Sequence, residues 1–242
     1  LLFNAADVIV VGKFAGSTSL AAVGATSALV NLLTGAFIGI SVGVNILVAR
    51  YAGCRDDARV GRAVHSAIAL SLVLGVVTFL LGFFLSTPML EWMDTPDDVL
   101  ALASLYLRIY FIGIPGALIY NFAAAILRAY GDTKRPLIFL AISGVLNVFL
   151  NLFFVIVCEL DVAGVAIATV VSQYVAVVLI LICLVRQEGP AKLKLREIRL
   201  HPDEALRMIQ IGLPAGLQSV VFNKAAMAVD THVFRVSHRI GL

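Results

Sequence analysis

Residues 14–49, FAGSTSLAAVGATSALVNLLTGAFIGISVGVNILVA, pass without one Asp, Glu, Lys or Arg. A bilayer core of about 30 Å needs roughly 20 apolar residues in a helix, and this stretch exceeds that with room to tilt. Four further gaps between charges follow it. Ala63–Leu90 contains only His65 as a titratable group, Val99–Leu127 contains one charge, Arg108, and Pro136–Cys158 and Val162–Val185 contain none. With an apolar start at Leu1–Val11 and another at Ile209–Phe222, the reading is five full spans flanked by two partial ones. The runs lack the period-2 alternation of membrane strands, so the spans are helices and not barrel strands.

The composition agrees with lipid as the solvent. Of 242 residues, 61% are hydrophobic and 14% charged, and the mean hydropathy is +1.01. Soluble domains run at roughly 45–50% apolar and about 25% charged, so a soluble globular protein is excluded. The net charge of +3 does not call for a nucleic-acid partner. Three scattered cysteines, Cys54, Cys158 and Cys183, fit neither a disulfide framework nor a Cys-x-x-Cys metal site.

Loop charges give the orientation, because short cytoplasmic loops are enriched in Lys and Arg. Arg50–Arg62 holds four basic residues, Arg128–Arg135 three and Arg186–Met208 six, while the intervening loops Glu91–Asp98 and Glu159–Asp161 hold acids and no base. The basic loops are therefore expected inside and the first segment runs outward. Leu1–Val11 reads as a helix whose first turns are missing, and it lacks the basic n-region of a signal peptide.

Polar groups within the spans are costly and so bear on function. Asp7 is the only acid in any apolar span; a carboxyl group in a half-wet membrane cavity can exchange a proton or ligate a cation, or it can lie near the helix end within reach of water or of Lys13. Asn147 and Asn151, four apart, share one face of the fifth helix. Their amides can hold a cation or a ligand, or tie helices together. Thr169, Ser172 and Gln173 form a polar stripe on the sixth. Gly35, Gly39 and Gly43 leave one face of the second helix bare for close packing. Pro115, between Gly113 and Gly116, should kink the fourth. Arg108 is expected to reach the outer interface or to pair with an acid, and His65 to be an ordinary interfacial histidine. No metalloprotease, serine-hydrolase, P-loop or dinucleotide-binding motif is present, so no enzyme is expected.

ADVIVVGKFAG, ISVGVNILVARYAGCRDDARVGRAVHSA, YLRIYFIGIP, LRAYGDTKRP, GVAIATVVSQ and IGLPAGLQ, in this order and spacing, resemble the first half of a multidrug and toxic compound extrusion (MATE) transporter, from Leu1 to about Gln218. The resemblance implies an all-α polytopic bundle holding about six helices of a twelve-helix fold and the start of the seventh. Its divisions are an amino-terminal lobe at 1–185, a basic cytoplasmic linker at 186–208, the start of the seventh helix at 209–218 and an anomalous tail at 219–242. It also implies a cation-coupled antiporter of the bacterial inner membrane that exports amphipathic organic cations. The coupling ion would be H+ or Na+, no cofactor is involved, and the partners are the drug, the bilayer and a carboxyl-terminal lobe, with no nucleic acid. Asp7 matches the family's first-helix coupling carboxylate and Asn147 a fifth-helix asparagine. Asn151 stands where several prokaryotic members carry a second coupling aspartate, and Thr169 is placed as the sixth-helix polar contributor. An amide takes up no proton at ordinary pH but can still ligate sodium. The alternatives are a lipid-linked oligosaccharide flippase of the same superfamily and a non-functional chimeric fragment. The tail VVFNKAAMAVDTHVFRVSHRIGL resembles a segment of the endonuclease III family, whose catalytic aspartate would be Asp230. That family's helix-hairpin-helix, catalytic lysine and cluster cysteines are missing, so no glycosylase activity is expected and Gln218–Ser219 reads as a join, with a divergent hydrophilic tail as the alternative.

Overall fold

A computed structural model describes residues 2–14 and 16–218, with the side chains of residues 2–6 and 28 also outside the description. The tail and Asp230 therefore lie outside the described residues. The helices are α1 (Leu2–Phe14), α2 (Ser17–Gly53), α3 (Asp57–Glu91), α4 (Asp97–Ala129), α5 (Lys134–Leu152) and α6 (Asp161–Arg186). A further helix, α7, covers residues 202–218. Five of these, α2 to α6 with the extension of α5 to Val157, are long and apolar enough to cross a membrane.

α3, α4 and α6 run a few residues beyond their apolar stretches, into charged residues at the ends. The Asp56 carboxylate accepts from the Arg59 N–H at 3.0 Å and caps α3, satisfying one of the donors a helix start leaves open. Asp97 and Asp98 occupy the first turn of α4, where negative charge meets the positive end of the helix dipole. Gly16 (φ +89°) and Gly131 (φ +79°) supply the left-handed backbone needed to turn from α1 into α2 and out of α4. α7 begins at residue 202 rather than at 209. Pro202 suits a first helical turn, and Asp203 and Glu204 follow it, so the charged end of the expected linker is itself a helix start.

α4 is the centre of the bundle, packed against α2, α3 and α6, while α1 lies against α2, α5 and α6. The outward faces are apolar: Val73, Val77, Leu81 and Phe84 of α3 and Leu137, Ile138, Val145 and Phe149 of α5 are exposed. The interior instead collects Asp7, Ser41, Ser71, Ser143, Asn147, Asn151, Thr169 and Ser172. Polar groups face inward and apolar ones outward, as a bundle solvated by lipid requires.

Small residues allow the tightest crossings. A β-carbon on Gly39 would overlap the backbone of Gly216, one on Gly43 would overlap the Met208 carbonyl, and one on Gly212 would lie 2.7 Å from the Ile40 Cα. The glycine stripe of α2 is thus the seat of α7. At Gly75, a β-carbon would lie 2.7 Å from the Pro115 Cα, so α3 closes on α4 beside the proline, and α4 continues through it as one helix.

Arg108 meets no acid among the described residues. Its Nε donates to Ser86 Oγ at 3.1 Å and its Nη2 to Thr87 Oγ1 at 3.2 Å, both on α3, and its guanidinium lies 6.0 Å from the Phe83 ring centre. The three cysteines are free.

Candidate coupling site and cavity

Asp7 is 1% exposed at the place where α1 meets α5 and α6. Its carboxylate collects donors from three helices. Asn151 Nδ2 donates to Oδ1 at 2.8 Å, Thr169 Oγ1 lies 3.0 Å from Oδ2 and 3.2 Å from Oδ1, and the Tyr106 hydroxyl donates to Oδ2 at 3.3 Å. Asn147 sits behind them. Its Nδ2 donates to Thr169 Oγ1 at 3.1 Å, and its Oδ1 accepts from Asn151 Nδ2 at 3.3 Å. Since a hydroxyl has one proton, Thr169 donates to Asp7 and accepts from Asn147, which fixes the direction of the chain.

The local sequence explains the convergence. Asn147 and Asn151 are one helical turn apart on α5, and both are fully buried on the face turned to α1. Immediately afterwards α5 widens into a π-helical turn, Phe153–Val157, an irregularity that recurs at functional sites. Asp7 forms no bond with Lys13, which is exposed and stands over the Phe14 ring at 5.7 Å.

The four residues singled out in the sequence therefore form one hydrogen-bonded cluster. Ser172 does not join it, since its hydroxyl bonds back to the Ala168 carbonyl of its own helix at 2.7 Å. Tyr106 was not singled out. An aromatic residue inside an apolar run gives no sign that its hydroxyl faces a carboxylate 99 positions away.

Asp7 and Thr169 form part of the wall of a cavity of about 210 Å³. Tyr106, Tyr110 and Tyr120 supply aromatic surface, Val30, Ile38 and Leu140 apolar surface, and Asn31, Thr34, Asn121, Ser143 and Gln173 neutral polar groups. Among the described residues Asp7 is the only charged one in the lining, and no Lys or Arg enters it. One acid among aromatic and apolar walls is complementary to a bulky organic cation, which gains from ring faces as well as from the carboxylate. The oxygens of Asp7, Asn147, Asn151 and Thr169 are hard donors of the kind that hold a small cation. Among the described residues Asn151 Oδ1 is buried without a hydrogen-bond partner, which leaves one such oxygen uncommitted beside the carboxylate. No group of three or more His, Cys, Asp or Glu that could hold a metal occurs among the described residues.

A family profile for MatE matches residues 1–153. The chain belongs to the MatE family. Among curated relatives, a probable multidrug resistance protein, YpnP of Bacillus subtilis (strain 168), is 31% identical over 229 residues, which cover 94% of this chain and 51% of that protein. A match of that extent runs past Gln218 into the segment at 219–242. Among solved structures, the inward-facing conformation of a multidrug resistance MATE family transporter of the MOP superfamily superposes with a TM-score of 0.83 at 27% identity, over 90% of this chain and 50% of that one. Its outward-facing counterpart gives 0.85, also at 27%, over 93% and 50%. The chain thus spans about half the length of the proteins it matches. It is a multi-pass membrane protein of a transporter family and not an enzyme.

Proposed function

We propose that this chain is the amino-terminal lobe of a cation-coupled multidrug efflux antiporter of the bacterial inner membrane, exporting amphipathic organic cations in exchange for H+ or Na+. The observation that carries the reading is the buried carboxylate of Asp7, bonded by Asn151, Thr169 and Tyr106 at the wall of a cavity lined by no other charged group among the described residues.

A shared carboxylate makes exchange a matter of charge. With Asp7 ionised, the cavity offers an organic cation one negative group and three tyrosine rings. A proton on Asp7, or a sodium ion held by Asp7 with the amide oxygens and Thr169, cancels that charge and weakens the drug's hold. By reciprocity the drug weakens the ion's hold by the same factor. The ion must also favour one conformational state over the other, or it shifts nothing. That one lobe superposes on both the inward- and the outward-facing structures, with TM-scores of 0.83 and 0.85, supports a lobe that moves as a unit against a partner lobe. A flippase for pyrophosphate-linked sugars would want bases in this cavity, and its lining has none among the described residues.

Transport in proteoliposomes tests the reading. The protein with its carboxyl-terminal lobe should move ethidium against an imposed proton or sodium gradient, and Asp7→Asn should abolish the gradient-driven part. Equal rates for the two proteins would overturn the reading.

A further inference from the structure

The stretch between α6 and α7 is folded against the bundle. The Leu193 N–H donates to the Leu184 carbonyl at 3.0 Å, the Lys194 N–H to His65 Nε2 at 3.1 Å and the His201 N–H to Ser66 Oγ at 3.1 Å. Ala191 and Leu193 are each 1% exposed. His65 is accordingly buried under this strap, with its Nδ1 2.6 Å from the Gly61 carbonyl, and is no simple interfacial histidine.

Between the strap and the start of α3 the structure leaves a second cavity, of about 770 Å³, whose lining shares no residue with the cavity at Asp7. Its charged walls are Arg62, Lys192, Lys194, Arg196 and Arg199 against Asp57 and Glu197. The two acids are outnumbered, and two of the five bases are already engaged. Lys194 Nζ pairs with Glu197 at 3.0 Å, and Arg62 Nε lies 4.0 Å from the buried Glu204. Lys192, Arg196 and Arg199 have no acidic partner among the described residues. Solvation alone explains scattered bases on this face, but it does not explain three uncompensated bases converging on one concavity. Beside them Leu195 and Leu200 are 63% and 45% exposed. Exposed leucines alternating with bases form the pattern of a segment that lies on a membrane surface, with apolar side chains in the acyl boundary and bases at the headgroups.

We propose that this cavity binds a phosphate-bearing group, held by Lys192, Arg196 and Arg199, at the face that the loop charges assign to the cytoplasm. Two sources share that chemistry, the headgroup of an anionic phospholipid and a free phosphate ester. Arginine's planar fork pairs phosphate oxygens two at a time and lysine adds a point charge.

The test places the full chain in phosphatidylcholine nanodiscs and measures binding of short-chain phosphatidylglycerol and, separately, of glycerol 3-phosphate. Three forms are compared: wild type, the triple variant Lys192→Gln/Arg196→Gln/Arg199→Gln, and a control triple variant outside the cavity, Arg50→Gln/Arg55→Gln/Lys134→Gln, with the same loss of charge. Each lost base at a headgroup weakens binding about fivefold, so the cavity variant should bind on the order of 100-fold more weakly. The control should stay near wild type. Binding of the phospholipid alone in this pattern supports the site with a lipid occupant, and binding of glycerol 3-phosphate in this pattern supports it with a free ester. Equal losses in the two triple variants would reduce the effect to general surface charge and overturn the proposal. So would wild-type protein that binds neither probe, or a cavity variant that binds as wild type does.

Discussion

Replacing Thr169 by valine removes one hydroxyl and leaves the side-chain volume almost unchanged. That hydroxyl donates to Asp7 at 3.0 Å and accepts from Asn147 Nδ2 at 3.1 Å. A hydrogen bond to a charged group contributes about 1.5–3 kcal/mol, and a buried N–H left without its acceptor costs about 1–3 kcal/mol. Hydrogen bonds between membrane helices average only about 0.6 kcal/mol, because the unfolded chain in lipid also finds partners. A carboxylate acceptor and the doubled loss place Thr169→Val above that average, at about 2 kcal/mol. Thr169→Ser keeps both bonds and loses a methyl group, about 0.8 kcal/mol. Unfolding by titration with SDS in mixed micelles reads both values. The cost of Thr169→Val should also shrink by at least half in an Asp7→Asn background, since the charged acceptor is gone. If valine costs no more than serine, or costs the same with and without the Asp7 carboxylate, the hydroxyl does not bridge Asp7 and Asn147 as described.

Two further perturbations test the packing that positions the site. Gly39→Leu would drive its side chain into the Gly216 backbone and should displace α7, raising amide exchange across residues 202–218; Gly24→Leu, where a β-carbon would meet no other helix within 4 Å among the described residues, should leave exchange unchanged, and equal exchange in the two would refute the crossing. Tyr51→Phe removes the hydroxyl that donates to the buried Glu204 at 2.8 Å and accepts from Arg207 at 3.0 Å. With about 1–3 kcal/mol lost there, trypsin should cut faster at Lys192 and Lys194, and a wild-type cleavage rate would show that the network does not hold the strap.

The spans were legible in the sequence because lipid imposes a simple rule, that a charge rarely enters a crossing helix. The gap Val99–Leu127 became α4 at Asp97–Ala129 and the gap Val162–Val185 became α6 at Asp161–Arg186; the added charged residues put acids in the first turns (Asp97, Asp98, Asp161) and bases in the last (Arg128, Arg186), where they complement the helix dipole. The amide pair on α5 was legible for the same reason as any helical pair, since residues four apart share a face. The π-helical turn after Asn151 was not, because nothing in FFVIV distinguishes a wide turn from an ordinary one. Long-range pairings stayed hidden too. Tyr106 with Asp7, Arg108 with Ser86 and Thr87, and His65 with the Lys194 backbone depend on which helices become neighbours, and loop lengths do not specify that. Gly39 and Gly43 announced a close approach, but their partner was visible only once α7 was placed across them.

The central claim is that one buried carboxylate serves both the coupling ion and the organic cation. Equilibrium binding of ethidium to the nanodisc-embedded protein, measured across pH and across sodium concentration, tests it most directly. The account predicts that wild-type affinity falls as protons or sodium ions are added, and that Asp7→Asn binds ethidium weakly with no dependence on either ion. An Asp7→Asn protein whose affinity still fell with the same ion by the same factor would contradict it.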